Sequence, residues 1–449
     1  MGGPVLRGGH PVRPAKARRE GAQAPQPDGE ADIRDRAVGR AEEGRSPLEA
    51  PGQQVPVRGL PELAPELAAE VGGREPSGAR YRLDVELLAV AGVDQVLRTE
   101  QVTGWMRRAH PDSVERHEVC AGSGQGTGLE SGRKEEPMRV FVAGATGAVG
   151  TRLVPQLRER GHEVVGTSRS QEKLGRLKAN GAEGVVLDVL DPSDVMHAVG
   201  QARPDAIVHE ATALSGLSDV KHFDRGFAAT NRLRTVGTEA LLAAAREHGV
   251  ERFVAQSFAG WPYAREGGPI KTEEDPLDPN PVPEMRESLE AIRELEQRVL
   301  AAGGIVLRYG GLYGSPGDAQ LDAVRRRRFP IVGDGGGILS FVHLDDAASA
   351  TVLAVERGGT GIYNIVDDDP APAREWVPAL AEAIGAKPPR HVPRWLAHMF
   401  AGDAGLVLLT EARGASNAKA KRELGWTLRY PSWREGFRAS YAAHEARAA

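Results

Sequence analysis

Residues 139–150 read RVFVAGATGAVG, and this stretch decides the fold. The first five, Arg139–Ala143, are predicted to form a short buried strand because four of them are apolar. Gly144, Gly147 and Gly150 follow in a GxxGxxG spacing, and a helix is predicted over 151–160. Glycines there allow a tight turn and close approach of the backbone, while a helix N-terminus attracts a pyrophosphate. The place of the glycines between strand and helix therefore predicts a dinucleotide-binding loop.

The alternation of strands and helices continues to residue 310. Further strands are predicted at 163–167, 184–187, 205–209, 252–256 and 304–308, and helices at 170–179, 193–199, 228–248 and 284–302. Such alternation is typical of parallel sheets with helical crossovers. The sequence therefore predicts an α/β fold, a doubly wound parallel sheet of the Rossmann type over 138–310. The alternation lapses after Gly310, which predicts a smaller C-terminal substrate-binding region over 311–449.

The composition of the whole chain indicates a soluble globular protein. Of the 449 residues, 40% are hydrophobic and 27% charged, and the formal net charge is -5. This balance argues against a polybasic nucleic-acid binder and against attraction to an anionic membrane. A single cysteine, Cys120, excludes an internal disulfide and a thiolate metal cluster. Apolar runs fall short of the ~20 residues that span a bilayer, and the N-terminus lacks a signal-peptide core, so a cytoplasmic location is expected.

Residues 1–137 differ in composition from the rest of the chain. The whole chain holds Trp 6, Tyr 7 and Phe 9, yet only Tyr81 and Trp105 lie in this segment. So little large apolar surface does not offset the entropy of ordering, which predicts a largely disordered N-terminal extension. Residues 134–136 (KEE) are encoded by purine codons alone, which resembles a bacterial ribosome-binding sequence just before the codon of Met138. Either translation starts at Met138 and 1–137 is an upstream extension included by mistake, or 1–137 is a genuine flexible leader.

The residues at the end of the second predicted strand indicate the cofactor. Dinucleotide sites that prefer NAD place Asp or Glu there, where the acid binds the ribose 2′-hydroxyl. Here Ser168 takes that position and Arg169 follows. A carboxylate would repel a 2′-phosphate, whereas the planar guanidinium of Arg169 can bind one. The sequence therefore favours NADP over NAD; the other interpretation of Arg169 is a solvated surface charge.

Several motifs together resemble the extended branch of the short-chain dehydrogenase/reductase superfamily, the NAD-dependent epimerase/dehydratase-like proteins. The resemblance covers about 138–440 and rests on VFVAGATGAVG (140–150), AIVHEAT (206–212), FVHLDDAA (341–348) and SNAKAKRELGW (416–426). It implies that Asp188 contacts the adenine and that residues 209–211 line the cofactor. It also implies that Asn231, followed by Gly237 and Thr238, supports the active site.

The sequence departs from this family where the chemistry is expected. Family members use a Tyr-x-x-x-Lys pair on the helix before the sixth strand, in which the phenol acts as an acid or base. Here the segment 283–304, PEMRESLEAIRELEQRVLAAGG, contains neither Tyr nor Lys. Ser288 and Ile292, or Met285 and Leu289 in a shifted register, stand at the positions of the pair. Phe258 takes the usual place of the catalytic hydroxyl, and Ser257 precedes it.

The expected function is therefore that of an NAD(P)-dependent oxidoreductase or epimerase-like enzyme with a non-standard active site. A hydride would pass between the nicotinamide and a carbon of a nucleotide sugar or of a smaller carbonyl or alcohol. Ser257 would polarise the oxygen, and Tyr263, after Trp261 and Pro262, is the candidate proton donor. Tyr309 either packs under the cofactor or replaces the missing phenol. The alternative function is a catalytically silent NADP-binding protein that reports redox state to a partner.

The predicted cofactor-binding residues are Gly144, Thr146, Gly147, Ala148, Val149, Gly150, Ser168, Arg169, Asp188, His209, Ala211, Asn231 and Tyr309. The predicted catalytic residues are Ser257 and Tyr263, and no metal site is expected. A small-molecule substrate is the expected partner, without nucleic acid or membrane, and the resemblance suggests a homodimer formed through 228–248 and 284–302.

Overall fold

The computed structural model describes residues 136–214, 220–315 and 319–448. Apart from Glu136 and Pro137, the predicted leader lies outside the described residues, so its disorder stays a prediction. The start of translation at Met138 stays a prediction.

A parallel seven-stranded sheet lies at the centre of the described chain. In chain order its strands are β1 (Arg139–Ala143), β2 (Glu163–Ser168), β3 (Glu183–Val186), β4 (Ala206–His209), β5 (Arg252–Phe258), β6 (Ile305–Tyr309) and β7 (Gly361–Ile365). The spatial order is β7-β6-β5-β4-β1-β2-β3, and every neighbouring pair is parallel. The order reverses between β1 and β4, where doubly wound sheets form a ligand crevice at the carboxyl ends of the strands. The predicted doubly wound fold is confirmed.

The described residues form twelve α-helices around this sheet. They are α1 (Gly150–Glu159), α2 (Leu174–Ala179), α3 (Pro192–Ala202), α4 (Phe223–Arg232), α5 (Thr238–Glu247), α6 (Arg286–Ala301), α7 (Ala319–Arg325), α8 (Leu344–Arg357), α9 (Ala373–Ala383), α10 (Arg394–Leu406), α11 (Ala418–Leu424) and α12 (Trp433–Ala448). Tighter 3-10 turns occupy Gln171–Lys173, Val220–His222 and Pro283–Met285, and wider π-helical turns occupy Leu233–Gly237 and Val407–Glu411. In the part of the chain that the structure describes, no helix combines the length and the apolar character needed to cross a membrane.

Helices cover both faces of the sheet because neighbouring residues of a strand point to opposite faces. In β1, Val142 packs in the layer that includes α1 and α8, whereas Phe141 packs in the layer that includes α3, α5 and α6. Both side chains are fully buried. A strand buried on both faces is held firmly, so β1 fixes the position of the glycine loop that follows it.

Two features depart from the predicted elements. The predicted helix 228–248 is interrupted, because the π-helical turn Leu233–Gly237 separates α4 from α5. The strand β7 was not predicted; it lies within 311–449 and pairs with β6, with Ile365 opposite Tyr309. The central sheet therefore extends past the predicted boundary at residue 310.

Much of 311–449 contributes to a second apolar core, built around aromatic side chains, whereas α8 and α11 pack against the central sheet. The ring of Phe341 lies 5.3 Å from that of Trp376 and 6.1 Å from that of Trp433, and all three residues are buried. Aromatic pairs at such distances add to the stability gained from burying their surface. Short strands connect this core to the sheet region: Ile270–Lys271, Gly311–Tyr313, Ile331–Val332, Ile338–Leu339, Phe341–His343, Ala371–Pro372, His391–Val392 and Gly414–Ala415.

Candidate functional site

The glycine loop closes tightly against the next strand of the sheet. Gly144 has a φ of +91°, and a Cβ placed on it would lie 2.7 Å from the backbone of Glu210 and Ala211. A Cβ on Gly150 would lie 2.5 Å from the carbonyl oxygen of Gly144. The Gly147 amide donates to that same carbonyl at 2.9 Å. Side chains therefore do not fit at 144 and 150, which is the reason for glycine that the spacing predicted.

A cleft of about 420 Å³ opens at the carboxyl ends of the strands, beside this loop. We call it the nucleotide cleft. Of the predicted cofactor residues, those that line it are Gly144, Thr146, Gly147, Ala148, Val149, Ser168, Arg169, Asp188 and Ala211. Glu210, within the range 209–211 that was expected to line the cofactor, also lines it. Its other lining residues, which the sequence analysis missed as site residues, are Thr167, Ser170, Lys173, Leu187, Val189, Thr212, Leu233, Gln256 and Leu312.

One end of the nucleotide cleft carries hydroxyl groups and cations. The Ser168 hydroxyl oxygen accepts hydrogen bonds from the Thr146 hydroxyl and the Ser170 amide, each at 3.2 Å, which leaves its own hydrogen for a ligand. Arg169 is exposed and lines the cleft, and Lys173 lies beside it. Both side chains line the cleft, so this end of it carries two cations.

His209 points away from the nucleotide cleft. It is buried, and its Nε2 lies 3.2 Å from the carbonyl oxygen of Leu233, the first residue of the π-helical turn. Burial lowers the pKa of His209 to about 4, so the ring is neutral at pH 7. Of residues 209–211, which were expected to line the cofactor, Glu210 and Ala211 line the cleft, whereas His209 contacts the turn behind it.

Glu210 and Tyr309 form a buried polar pair on the opposite face of the sheet. The Tyr309 hydroxyl donates to Oε1 of Glu210 at 2.8 Å and lies 2.5 Å from Oγ1 of Thr351. Burial raises the pKa of Glu210 to about 8, and burial together with Glu210 raises the pKa of Tyr309 well above 10. The second carboxyl oxygen of Glu210, Oε2, is buried without a hydrogen-bond partner among the described residues. A lone acid within the apolar stretch AIVHEAT was the sequence signal for this group.

A smaller cavity adjoins the nucleotide cleft, and we call it the inner cavity. The two share Gln256, in β5, and Leu312, in the short strand Gly311–Tyr313. The inner cavity measures about 20 Å³, and its other described lining residues are Leu214, Phe227, Arg234, Ser257, Phe258, Trp261, Tyr309 and Gly310. Most of these side chains are apolar; the exceptions, Arg234, Gln256 and Ser257, are the groups able to orient a ligand there.

Ser257 lines the inner cavity, but its hydroxyl hydrogen is directed elsewhere. It donates to Oε1 of Glu296 at 2.7 Å. Arg308 donates to both carboxylate oxygens of Glu296, at 2.8 and 2.6 Å, and all three residues are buried. In this arrangement Ser257 presents lone pairs rather than a hydrogen to the cavity.

The structure places Tyr263 in neither cavity. Its hydroxyl donates to Oδ1 of Asn364 at 2.5 Å and accepts from Nη1 of Arg308 at 3.3 Å. The residue is 1% exposed, and burial raises the pKa of its phenol to about 12. The two predicted catalytic residues therefore do not line a common cavity. Arg308 joins them indirectly, because it contacts Tyr263 and also Glu296, to which Ser257 donates its hydrogen bond.

Comparison with known protein families shows which family this chain belongs to. A sequence profile of the NAD dependent epimerase/dehydratase family matches residues 140–366, half of the chain, from the glycine loop to the end of β7. The chain belongs to the NAD dependent epimerase/dehydratase family. The resemblance inferred from the motifs is confirmed, and with it the prediction of an enzyme family with an NAD(P)-binding Rossmann fold.

Members of this family and its structural neighbours span several reactions. A 3-diazoavenalumate denitrifying reductase from Streptomyces sp is 43% identical over 307 residues, which cover 67% of this chain and 99% of that protein. A 2-alkyl-3-oxoalkanoate reductase from Stenotrophomonas maltophilia is 31% identical over 269 residues, 56% of this chain and 76% of that protein. A crystal structure of UDP-glucose 4-epimerase with UDP-glucose, from Thermotoga maritima, has a TM-score of 0.56 at 22% identity and covers 70% of this chain and 100% of its own. At that identity the likeness shows the fold alone.

The positions that the sequence analysis assigned to the Tyr-Lys pair are packed inside the protein in either register. Ser288 and Ile292 are fully buried, and so are Met285 and Leu289 of the alternative register. The Ser288 hydroxyl donates to Asp224 at 2.6 Å. Asn231 does not line the nucleotide cleft; its amide donates to the Ser288 oxygen at 3.0 Å. The region where the sequence analysis expected the acid and base is thus a packing contact between α4 and α6.

Proposed function

We propose that this protein is an NADPH-dependent reductase that acts on a small carboxylate-bearing substrate. The observation that supports it most is that the nucleotide cleft has a cationic end, at Arg169 and Lys173, and also borders the inner cavity at Gln256. A dinucleotide would lie along the cleft, and the inner cavity would receive part of the substrate.

The described residues fit such a dinucleotide. Gly144 lets the loop pack closely against the backbone of Glu210 and Ala211, and the loop leads into the N-terminus of α1, which favours a pyrophosphate. Asp188 is exposed at the adenosine end, while Ser168 and Arg169 replace the acid that NAD-preferring sites use. At the other end the unpartnered Oε2 of Glu210 offers a hydrogen bond to a ligand, because the raised pKa keeps this carboxyl protonated at pH 7. These features favour NADPH over NADH.

When bound, the cofactor would supply a hydride to the substrate. This chain's own residues would bind and orient the substrate. Ser257 would accept a hydrogen bond from the hydroxyl group that the reduction forms, since its own hydrogen is held by Glu296. The proton of that hydroxyl group would come from solvent. We assign no proton transfer to Tyr263, because its hydroxyl is enclosed by Asn364 and Arg308.

The choice of substrate class rests on size and on the relatives. An inner cavity of about 20 Å³ with mostly apolar walls admits only a small terminal group of a substrate, which favours a small molecule. Two relatives are reductases named for the salts of carboxylic acids, a 3-diazoavenalumate and a 2-alkyl-3-oxoalkanoate. We therefore favour a small acid over the nucleotide sugar that the resemblance had left open.

The test is an absorbance assay of the full-length protein at 340 nm. NADPH would be mixed with a set of 2-oxo and 3-oxo acids, and NADP with UDP-glucose. We expect oxidation of NADPH by at least one oxo acid, slowed by Ser257→Ala, and no reduction of NADP by UDP-glucose. Binding of NADPH and NADP with different affinities but without any turnover would contradict the proposal and favour the redox-reporting alternative. The cytoplasmic location and the homodimer stay predictions.

A further inference from the structure

Arg234 is a buried cation that faces the inner cavity. It is the second residue of the π-helical turn Leu233–Gly237 and is 6% exposed. The extra residue of a π-turn changes the direction of the side chains around it, and such turns are frequent at functional sites. The guanidinium carbon lies 6.0 Å from the ring of Phe227, and Nη1 is buried without a hydrogen-bond partner among the described residues.

The charges around Arg234 do not balance. Glu296 is the acid that acts electrostatically on Arg234. Its carboxylate already accepts hydrogen bonds from Nε and Nη2 of Arg308 and from the Ser257 hydroxyl. His209, on the same face of the sheet, is neutral at pH 7. This part of the site therefore holds two guanidinium groups, of Arg234 and Arg308, and one carboxylate, of Glu296. One positive charge is in excess. A buried charge without a partner is costly, so this face of the site is built to receive an anion.

The size and walls of the inner cavity select the kind of anion. Its volume of about 20 Å³ is a little more than one water molecule needs, which limits an anion there to a small terminal group, and its walls at Phe227, Phe258 and Trp261 are apolar. A carboxylate is such a small group, and it matches the fork of a guanidinium. We propose that Arg234 binds the carboxylate of the substrate in the inner cavity, so that the carbon skeleton extends past Gln256 into the nucleotide cleft. This inference rests on the proposed reductase function and names the residue that selects its substrate.

The experiment compares carboxylates with their uncharged amides. Full-length protein saturated with NADP would be titrated calorimetrically with cinnamate and cinnamamide, and with acetoacetate and acetoacetamide. At least one carboxylate should bind about tenfold or more tightly than its amide, because a buried charged pair is lost in the amide. Arg234→Gln should abolish that preference, and Arg234→Lys should keep part of it.

Arg232→Gln is the matched control. Arg232 is exposed at the end of α4, two residues away, so its removal takes away the same charge without touching the cavity. The preference for carboxylates should survive in this variant. Thermal unfolding without ligand supplies a second readout: Arg234→Met should raise the midpoint, because it removes an unpaired buried charge, whereas a structural role for Arg234 would lower it.

The outcomes separate this inference from the proposed function. Equal binding of both carboxylates and their amides by the wild-type protein, or a preference that persists in Arg234→Gln, overturns the assignment of Arg234. In that case NADPH binding and turnover would still support a reductase. Failure of the wild-type protein to bind NADPH would instead remove the proposed function itself.

Discussion

Replacing Glu210 with Gln should change how the stability of the protein depends on pH. Gln has nearly the same shape as Glu. It is uncharged, and so is the Glu210 carboxyl while it is protonated. Burial places the pKa of Glu210 at about 8 in the folded protein, against an ordinary value of 4.5. The folded state therefore keeps a proton that the unfolded chain releases above pH 4.5.

The sign and size of the effect follow from proton linkage. Because the folded pKa is raised, the wild-type protein loses unfolding free energy as the pH rises from 4.5 to about 8, by about 1.4 kcal/mol per pH unit. The displacement sets an upper limit of roughly 5 kcal/mol on the total loss. The Glu210→Gln variant does not lose unfolding free energy in this way. The difference in unfolding free energy between variant and wild type should therefore shift in favour of the variant as the pH rises across that range.

Urea unfolding of both proteins at several pH values between 4.5 and 8.5 measures the difference. Other groups with raised pKa values, such as the buried Asp367, occur in both proteins and cancel in the comparison. Glu172→Gln, which removes an exposed carboxylate close to the cleft, controls for the loss of a charge. A difference between variant and wild type that stays constant with pH would refute the argument, because it would mean that Glu210 is ionised in the folded protein.

The remaining predictions concern the loop and the buried ion pair. Gly144→Ala should weaken NADPH binding about tenfold or more in a calorimetric titration, because its Cβ would collide with the neighbouring backbone at 2.7 Å. Gly161→Ala is the control, since Gly161 has the same φ of +91° but open space around it, and it should bind normally. Glu296→Gln should lower the unfolding free energy by about 3–5 kcal/mol, measured in urea, because it leaves Arg308 buried and unpaired. An unchanged stability would show that the pair is hydrated.

The elements that the sequence predicted well are those whose causes are local. The apolar run Arg139–Ala143 forms β1 with the predicted bounds, and the glycines after it close the loop for the predicted steric reason. The strand β7 was missed because its sequence, Gly361–Ile365, follows a glycine-rich turn and becomes a strand by pairing with β6, about fifty residues earlier.

The site was harder to predict because its contacts join distant segments. Glu210, Tyr309 and Thr351 come from three elements and meet in one buried cluster. The alternation of strand residues explains why His209 and its neighbour Glu210 face opposite sides, a pattern that the sequence contains but that motif resemblance obscured. In the sequence Arg234 resembles a solvated charge like Arg232, and only its burial in the folded protein distinguishes the two.

Calorimetric titration of NADPH and NADH into the full-length protein tests the central claim most directly. We predict that NADPH binds more tightly than NADH and that Arg169→Asp removes or reverses this preference, because a carboxylate there repels the 2′-phosphate. Arg176→Asp, an equal charge change at an exposed position of α2 outside the nucleotide cleft, should leave the preference intact. Absence of binding by either nucleotide, or a preference that Arg169→Asp does not alter, would contradict the account.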